Sequence, residues 1–232
     1  MEQIVIIIPA LNPLHTLVQF VEKLQKMNVE IVVINDGSDE KYAAVFQSLR
    51  QLPRCTVLTH EQNFGKGRAL KTGFDYVLKV SRKVKGVVTV GAHGQHSILD
   101  VQQMISSTKI FSDGIILGVR DFKSTDMPTS SFFNNRAASM LFELFFHKRL
   151  LDTQTGLRYI PKQELLWLRH VPGETFNFDL NMLVKAIKRN IPLYEVPIGH
   201  AKLKKNSVIY YDEVLNPMKI IQQIWTNFLR NR

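Results

Sequence analysis

At 232 residues the chain can bury one sizeable core, and its 45% hydrophobic and 22% charged residues are the balance of a globular, water-exposed fold. No apolar run approaches the roughly 20 residues of a membrane-spanning helix, and Met1-Glu2-Gln3-Ile4 enters a strand pattern with no basic lead, so no secretory leader is expected. The single cysteine, Cys55, excludes an internal disulfide, and the net charge of +10 implies attraction to something anionic: nucleic acid, an acidic bilayer or phosphorylated substrates.

The first half of the chain alternates strand and helix patterns. Ile4–Ile8 is a short apolar run ending in Pro9-Ala10-Leu11-Asn12. Leu14–Met27 then carries a helical stripe at Leu14, Leu17, Val18, Val21 and Leu24. Ile31–Ile34 ends in Asn35-Asp36-Gly37-Ser38, and Asp39–Leu49 is a second helix pattern with Ser38 as its expected N-cap. Val57–Thr59 leads to Asn63-Phe64-Gly65-Lys66-Gly67 and a third helix pattern over Gly67–Val80. Val87–Val90 ends in Gly91-Ala92-His93-Gly94-Gln95-His96, before a shorter helix over Asp100–Ser107. This order predicts an α/β fold with a mostly parallel sheet flanked by helices. Short apolar strands of this kind are buried on both faces.

The second half is less regular. Ile115–Val119 reads as a strand, and Phe132–Phe146 as an aromatic-rich helix, apolar over most of its circumference, for a core or a lipid surface. Helices are expected at Glu164–His170 and Asp179–Asn190, a strand at Leu193–Val196, and a terminal amphipathic helix at Asn216–Leu229. No repeat or linker divides the chain, so a single domain over residues 1–232 is expected, with a nucleotide-binding half to about residue 110 and an acceptor-side half beyond it. The basic stretches Lys79–Lys85 and Lys202–Lys205 fit an anionic partner or a plain solvated surface equally well. Nucleic acid would rest on charge alone, because no reader motif is present.

Ligands of open α/β sheets bind beyond the carboxyl ends of the strands, so the four strand-end signatures converge on one rim. Asp36 there offers a carboxylate to a base or ribose, or caps the following helix. Gly65 and Gly67 permit close backbone approach or serve a tight turn, and Lys66 adds a cation.

These signatures resemble glycosyltransferase family 2 with its GT-A fold, close to dolichol-phosphate mannose synthase and other polyprenyl-phosphate glycosyltransferases. Ile8-Pro9-Ala10-Leu11-Asn12, Asn35-Asp36-Gly37-Ser38, the segment Asn63–Leu70 and Gly94-Gln95-His96 carry the resemblance in the first half. Gly118–Phe122, Asp152–Arg158 and Glu195-Val196-Pro197-Ile198 carry it in the second. The resemblance implies nucleotide-sugar binding by Pro9, Ala10, Leu11, Asn12, Asp36, Gly65, Lys66, Gly67, Gly91 and Ala92. It also implies an acceptor phosphate at Arg120 and Arg136, and catalytic roles for Asp152, Asp179 and His93.

Three departures bear on chemistry. The family's Asp-Ala-Asp-Gly-Gln-His becomes Gly91-Ala92-His93-Gly94-Gln95-His96, so both acids that hold Mg²⁺ or Mn²⁺ against the diphosphate are absent. Three readings stay open: a softer Mn²⁺ or Zn²⁺ site using His93 and Gln95 with His96, a protonated His93 in place of the ion, or weakened or lost catalysis. In the second, Pro13 stands where the family commonly has Glu; in the third, Thr129-Ser130-Ser131-Phe132 stands where lipid-phosphate transferases usually carry arginine.

The resulting expectation is an inverting transferase using a UDP- or GDP-sugar, with a polyprenyl phosphate or cell-envelope glycan as acceptor. It would be cytoplasmic and peripheral at the inner face of the membrane, held by its basic surface or by a membrane-protein partner. The alternative is a catalytically impaired relative that binds nucleotide sugar or a partner and acts as a regulatory protein.

Overall fold

The computed structural model describes residues 3–80, 83–120, 136, 139–140, 142–199, 222 and 226. Alternation along the first strand, β1 (Gln3–Ala10), sets the layers. Ile4, Ile6 and Ile8 join one buried cluster, while Val5 and Ile7 join another on the opposite face. Successive strand side chains point to opposite faces, so a run of five aliphatic residues needs cover on both. Full burial of each contributes roughly 1.5–3 kcal/mol.

The cover comes from helices on either side. On one face lie α1 (Thr16–Gln25), α2 (Ala43–Gln51) and α4 (Ile98–Ser107), contributing Leu17, Val21, Leu24, Phe46, Leu49, Val101 and Met104. On the other lie α3 (Lys66–Val80), α5 (Lys162–Leu168) and α6 (Asn177–Lys188), contributing Leu70, Phe74, Leu165, Phe178 and Leu183. A 3-10 turn, Glu40–Tyr42, precedes α2.

The remaining strands are β2 (Glu30–Asn35), β3 (Cys55–Thr59), β4 (Val84–Thr89), β5 (Ile115–Arg120), β6 (Arg158–Pro161) and β7 (Leu193–Ile198). Among the described residues they form one sheet in the order β3-β2-β1-β4-β6-β5-β7. β1 pairs in parallel with β2 and β4, β2 with β3, and β5 with β7. Only β6 among them runs antiparallel, wedged between β4 and β5. The α/β fold with a mostly parallel central sheet is as expected from the strand and helix patterns.

Several local expectations are corrected. Ser38 caps no helix: its Oγ accepts the Asn12 N–H at 2.8 Å, and its own N–H donates to Asn35 Oδ1 at 3.0 Å. Among the described residues the helix cap with full side-chain geometry is Ser97, in a reciprocal capping box with Asp100 that starts α4 at Ile98, two residues before Asp100. β6 had no strand signature of its own, being four residues that begin on the last residue of the Asp152–Arg158 motif. Phe142 is fully buried, yet Met140 and Leu144 are 62% and 65% exposed, so the end of the Phe132–Phe146 helix is two-sided rather than apolar all round. The rest of that helix, the Lys202–Lys205 stretch and nearly all of Asn216–Leu229 lie outside the described residues. Cys55 is half-buried and burial pushes its thiol up to about 11, which suits a packing residue.

Candidate functional site

Parallel pairing in register brings the carboxyl ends of β1, β2 and β4 to a common edge: Ala10 lies opposite Asn35, and Ile7 opposite Thr89. Two backbone bonds carry the register past the strands, from Asp36 N–H to Ala10 O and from Val90 N–H to Ile7 O. A cavity of about 250 Å³ opens at this edge. Its floor is Pro9, Ala10, Leu11 and Asp36, and one wall is Asn63 to Lys66 at the start of α3. Gly91, Ala92, His93 and Gln95 form the opposite wall, closed by Gly156, Thr175 and Phe176.

Asp36 is buried at 3% exposure and organises the floor. Its Oδ1 accepts from His60 Nδ1 at 2.7 Å and from the Phe64 N–H at 3.1 Å, and its Oδ2 accepts from the Gly65 N–H at 2.8 Å. His60 is set by Thr72 Oγ1, 2.9 Å from Nε2. A carboxylate has about four acceptor positions, so one remains on Oδ2 for a ligand donor. The helix-capping alternative for Asp36 does not occur; its bonds fold the Asn63–Gly65 turn instead.

The cations near the cavity are paired with acids. Lys66 Nζ lies 2.5 Å from Asp179 Oδ2 and 5.3 Å above the Phe176 ring. Arg158, fully buried, donates to the carbonyls of Thr155, Asp179 and Thr153 and stands 3.7 Å from Asp179 Oδ1. Farther along, Arg120 grips the fully buried Asp152 through two bonds of 2.6 and 2.9 Å. Asp152, Asp179, Arg120 and Arg136 do not line the cavity, and Arg136 is exposed.

Asn12 turns away from the cavity. Its Oδ1 accepts the Asp39 N–H at 2.9 Å, and its amide reaches Asp39 Oδ2 at 3.3 Å. Gly67 faces the protein itself: a Cβ there would lie 2.6 Å from Phe178 Cβ and 2.8 Å from Gly173 O. At Gly65, with φ +100°, a Cβ would meet Glu174 O at 2.5 Å. Both glycines thus admit the Gly173–Thr175 backbone, which the Arg68 N–H and the Arg68 and Lys71 side chains bind through Glu174.

The wall opposite Lys66 carries no carboxylate. A Cβ on Gly91 would meet only the Gln95 Oε1, at 2.5 Å, so the Gln95 carboxamide fills the space where the family's first acid would begin. Burial holds His93 below the usual imidazole range, against the reading of a protonated His93 in the resting site. His96 is buried too, with no hydrogen-bond partner for Nδ1 among the described residues. Burial, then Arg120, lowers it to about 4; Lys66 adds to this, and Asp100 and Asp152 oppose it.

The residues do not fit the family's divalent cation. Among the described residues no group of three or more His, Cys, Asp or Glu side chains is placed to hold a metal ion. An imidazole and an amide are a poor oxygen set for Mg²⁺, and they supply no negative charge for Mn²⁺.

Sequence reading missed five lining residues, Asn63, Phe64, Gly156, Thr175 and Phe176. Asn63 and Phe64 lay inside a quoted segment, but nothing in it indicated that they would line a cavity. Thr175 and Phe176 are brought in by the Gly173–Phe176 loop, and Gly156 by the turn before β6. Glu195, pushed up by burial, accepts the Leu151 N–H at 2.6 Å beside Asp152 and was visible only as part of a motif.

Comparison with known proteins agrees with this fold. An uncharacterised protein of Methanocaldococcus jannaschii is 23% identical over 217 residues, covering 90% of each chain. A dolichyl-phosphate beta-glucosyltransferase of Dictyostelium discoideum is 25% identical over 88% of this chain, which spans 64% of that protein's length. In structure, the chain is similar to glucosyl-3-phosphoglycerate synthase from Mycobacterium tuberculosis in complex with Mn²⁺, uridine diphosphate and phosphoglyceric acid. That match has TM-score 0.74 at 14% identity and covers 98% of this chain and 78% of that one. Mannosyl-3-phosphoglycerate synthase from Rubrobacter xylanophilus gives 0.68 at 12% identity, covering 99% and 73%. The fold is therefore GT-A, with the sheet and flanking helices described above. Residues 5–160, which include most of β1, all of β2 to β5 and most of β6, match the model of glycosyl transferase family 2, and the chain belongs to that family.

Proposed function

We propose that this chain binds a nucleotide diphosphate sugar in the cavity between Asp36 and Gln95, and that metal-assisted transfer is impaired in it, leaving a binding or regulatory role. The observation that carries the reading is the contrast between the two walls. The floor at Asp36 is fully organised, whereas Gly91 and His93 stand at the two positions where the family's acids hold the ion. Without that ion, charge developing on the departing nucleotide meets less compensation.

A second reading, an inverting transferase of reduced rate, is favoured by one feature. Asp152 and Asp179 are both engaged by cations, an arrangement ill suited to a general base. A hydroxyl acceptor needs such a base; a phosphate acceptor, already anionic, does not. The dolichyl phosphate named for one relative is an acceptor of that anionic kind, whereas the phosphoglyceric acid bound by one structural neighbour carries a hydroxyl beside its phosphate. Exposed Met140 and Leu144 lie near Lys148 and Arg149 in the chain, the composition of a surface that meets an anionic bilayer carrying a polyprenyl phosphate. Among the described residues no helix is long and apolar enough to cross a membrane.

A transfer assay separates the readings: UDP- and GDP-sugars with 3-phosphoglycerate or a short polyprenyl phosphate, with and without Mn²⁺. The first reading expects thermal stabilisation by a nucleotide and no sugar transfer above background. Transfer that disappears in Asp36→Ala would overturn it in favour of the second.

A further inference from the structure

We propose that the donor's diphosphate is held here without a divalent cation, by the Lys66 ammonium drawn off Asp179 and by the Gln95 carboxamide. The inference rests on the nucleotide-sugar reading above and states how that site meets the ligand's charge.

Lys66 has the position and the freedom for this. Among the described lining residues it is the one ammonium or guanidinium, at a side-chain exposure of 17%. A Cβ on Gly156 would come within 3.5 Å of Nζ, so the glycine leaves that side of the ammonium uncovered, toward the cavity it also lines. Removing a cation from a buried carboxylate is normally costly, because an unpaired charge is left behind. Asp179 has a second cation in place: Arg158 Nη1 stands 3.7 Å from Oδ1, on the oxygen that Lys66 does not use. Lys66 can therefore exchange one anion for another while Asp179 keeps a partner.

The facing wall completes the arrangement. With the family's carboxylate at position 91, a diphosphate would be repelled unless an ion stood between them. Gly91 removes that charge, and the Gln95 carboxamide lies over the vacated space with its Oε1 nearest; turned about its last bond, it presents an N–H there instead. An amide N–H can meet a phosphate oxygen directly where an acid needs a metal bridge. Lys66 and Gln95 thus replace one divalent ion by one fixed positive charge and one neutral donor.

The test is calorimetric titration of the full chain with UDP, UMP, GDP and GMP, each in excess EDTA and again in Mn²⁺. The expected result is that the preferred nucleoside diphosphate binds equally well in both, within about twofold. Lys66→Met should weaken the diphosphate about tenfold or more while changing the monophosphate little, because a charge-assisted bond to phosphate is lost. Asp179→Asn should tighten diphosphate binding, since it releases Lys66; a merely structural Asp179 would give the opposite sign. Gly91→Asp/His93→Asp should make binding depend on Mn²⁺. An affinity that rises tenfold or more with Mn²⁺ in the unaltered protein overturns the inference and leaves the reading beneath it standing. Failure of every nucleotide to bind in either condition overturns the reading itself, and the inference with it. The EDTA comparison needs no variant, so misfolding of an altered chain leaves the decision intact.

Discussion

The two walls of the cavity differ in how their polar groups are satisfied. Around Asp36, one carboxylate meets two backbone N–H groups and an imidazole, and that imidazole is fixed in turn by Thr72. Around Gly91, the acids have given way to a glycine and a desolvated histidine, and His96 Nδ1 is buried with no hydrogen-bond partner among the described residues. The first wall spends its hydrogen bonds on a fixed turn. The second has lost the groups for which an ion would have been needed, and an amide has moved into their space. On the proposed reading, the part that recognises a nucleotide is retained while the part that drives its departure has changed, because the two sit on different strand ends.

Substitutions can sharpen or break this contrast. The largest effect is expected at Asp36: Asp36→Ala orphans two N–H groups and His60 and should cost about 4 kcal/mol, read as a shift in the urea midpoint, and abolish nucleotide binding. A loss below about 1 kcal/mol would mean that the floor turn holds itself without the carboxylate.

Next comes the strained side. His96 titrates at about 4 in the folded chain against 6.5 unfolded. Between those values the unfolded state binds the extra proton, so stability is complete above pH 6.5 and falls as pH drops toward 4. The loss attributable to this one group is on the order of 3 kcal/mol. His96→Gln should flatten the slope over that window, measured by urea unfolding at pH 7 and pH 4.5. An unchanged slope would remove His96 as its source.

The two glycines give the smallest pair. Gly67→Ala drives a methyl into Phe178 and the Gly173 carbonyl and should cost about 1–3 kcal/mol. Gly91→Ala meets only the end of the flexible Gln95 side chain and should stay within about 0.5 kcal/mol. Thermal unfolding of both variants checks the order; equal losses would mean that the Gly91 wall is as tightly packed as the α3 junction.

Much of the sheet was legible because short aliphatic runs buried on both faces admit few alternatives, and β1, β2 and β4 fall where those runs lie. The common edge followed from parallel pairing. What escaped depends on groups far apart in the chain. Lys66 and Asp179 are 113 residues apart, and nothing local to either indicates that they meet. Ser38 had the composition of a helix cap, but Asn12 offered its N–H in competition and the helix began later. β6 was hidden because four residues cannot establish a period, and its direction is set by its neighbours β4 and β5. Asn12 matched a motif in sequence, while its amide closes on Asp39 in three dimensions.

The most direct measurement is a crystal structure of the chain grown with the preferred nucleoside diphosphate and Mn²⁺, with anomalous data collected for manganese. The account predicts the nucleotide between Asp36 and Gln95, Lys66 Nζ on a phosphate oxygen, and no manganese peak beside Gly91. A manganese ion bridging the diphosphate to His93 or Gln95, or a nucleotide bound elsewhere on the molecule, would contradict it.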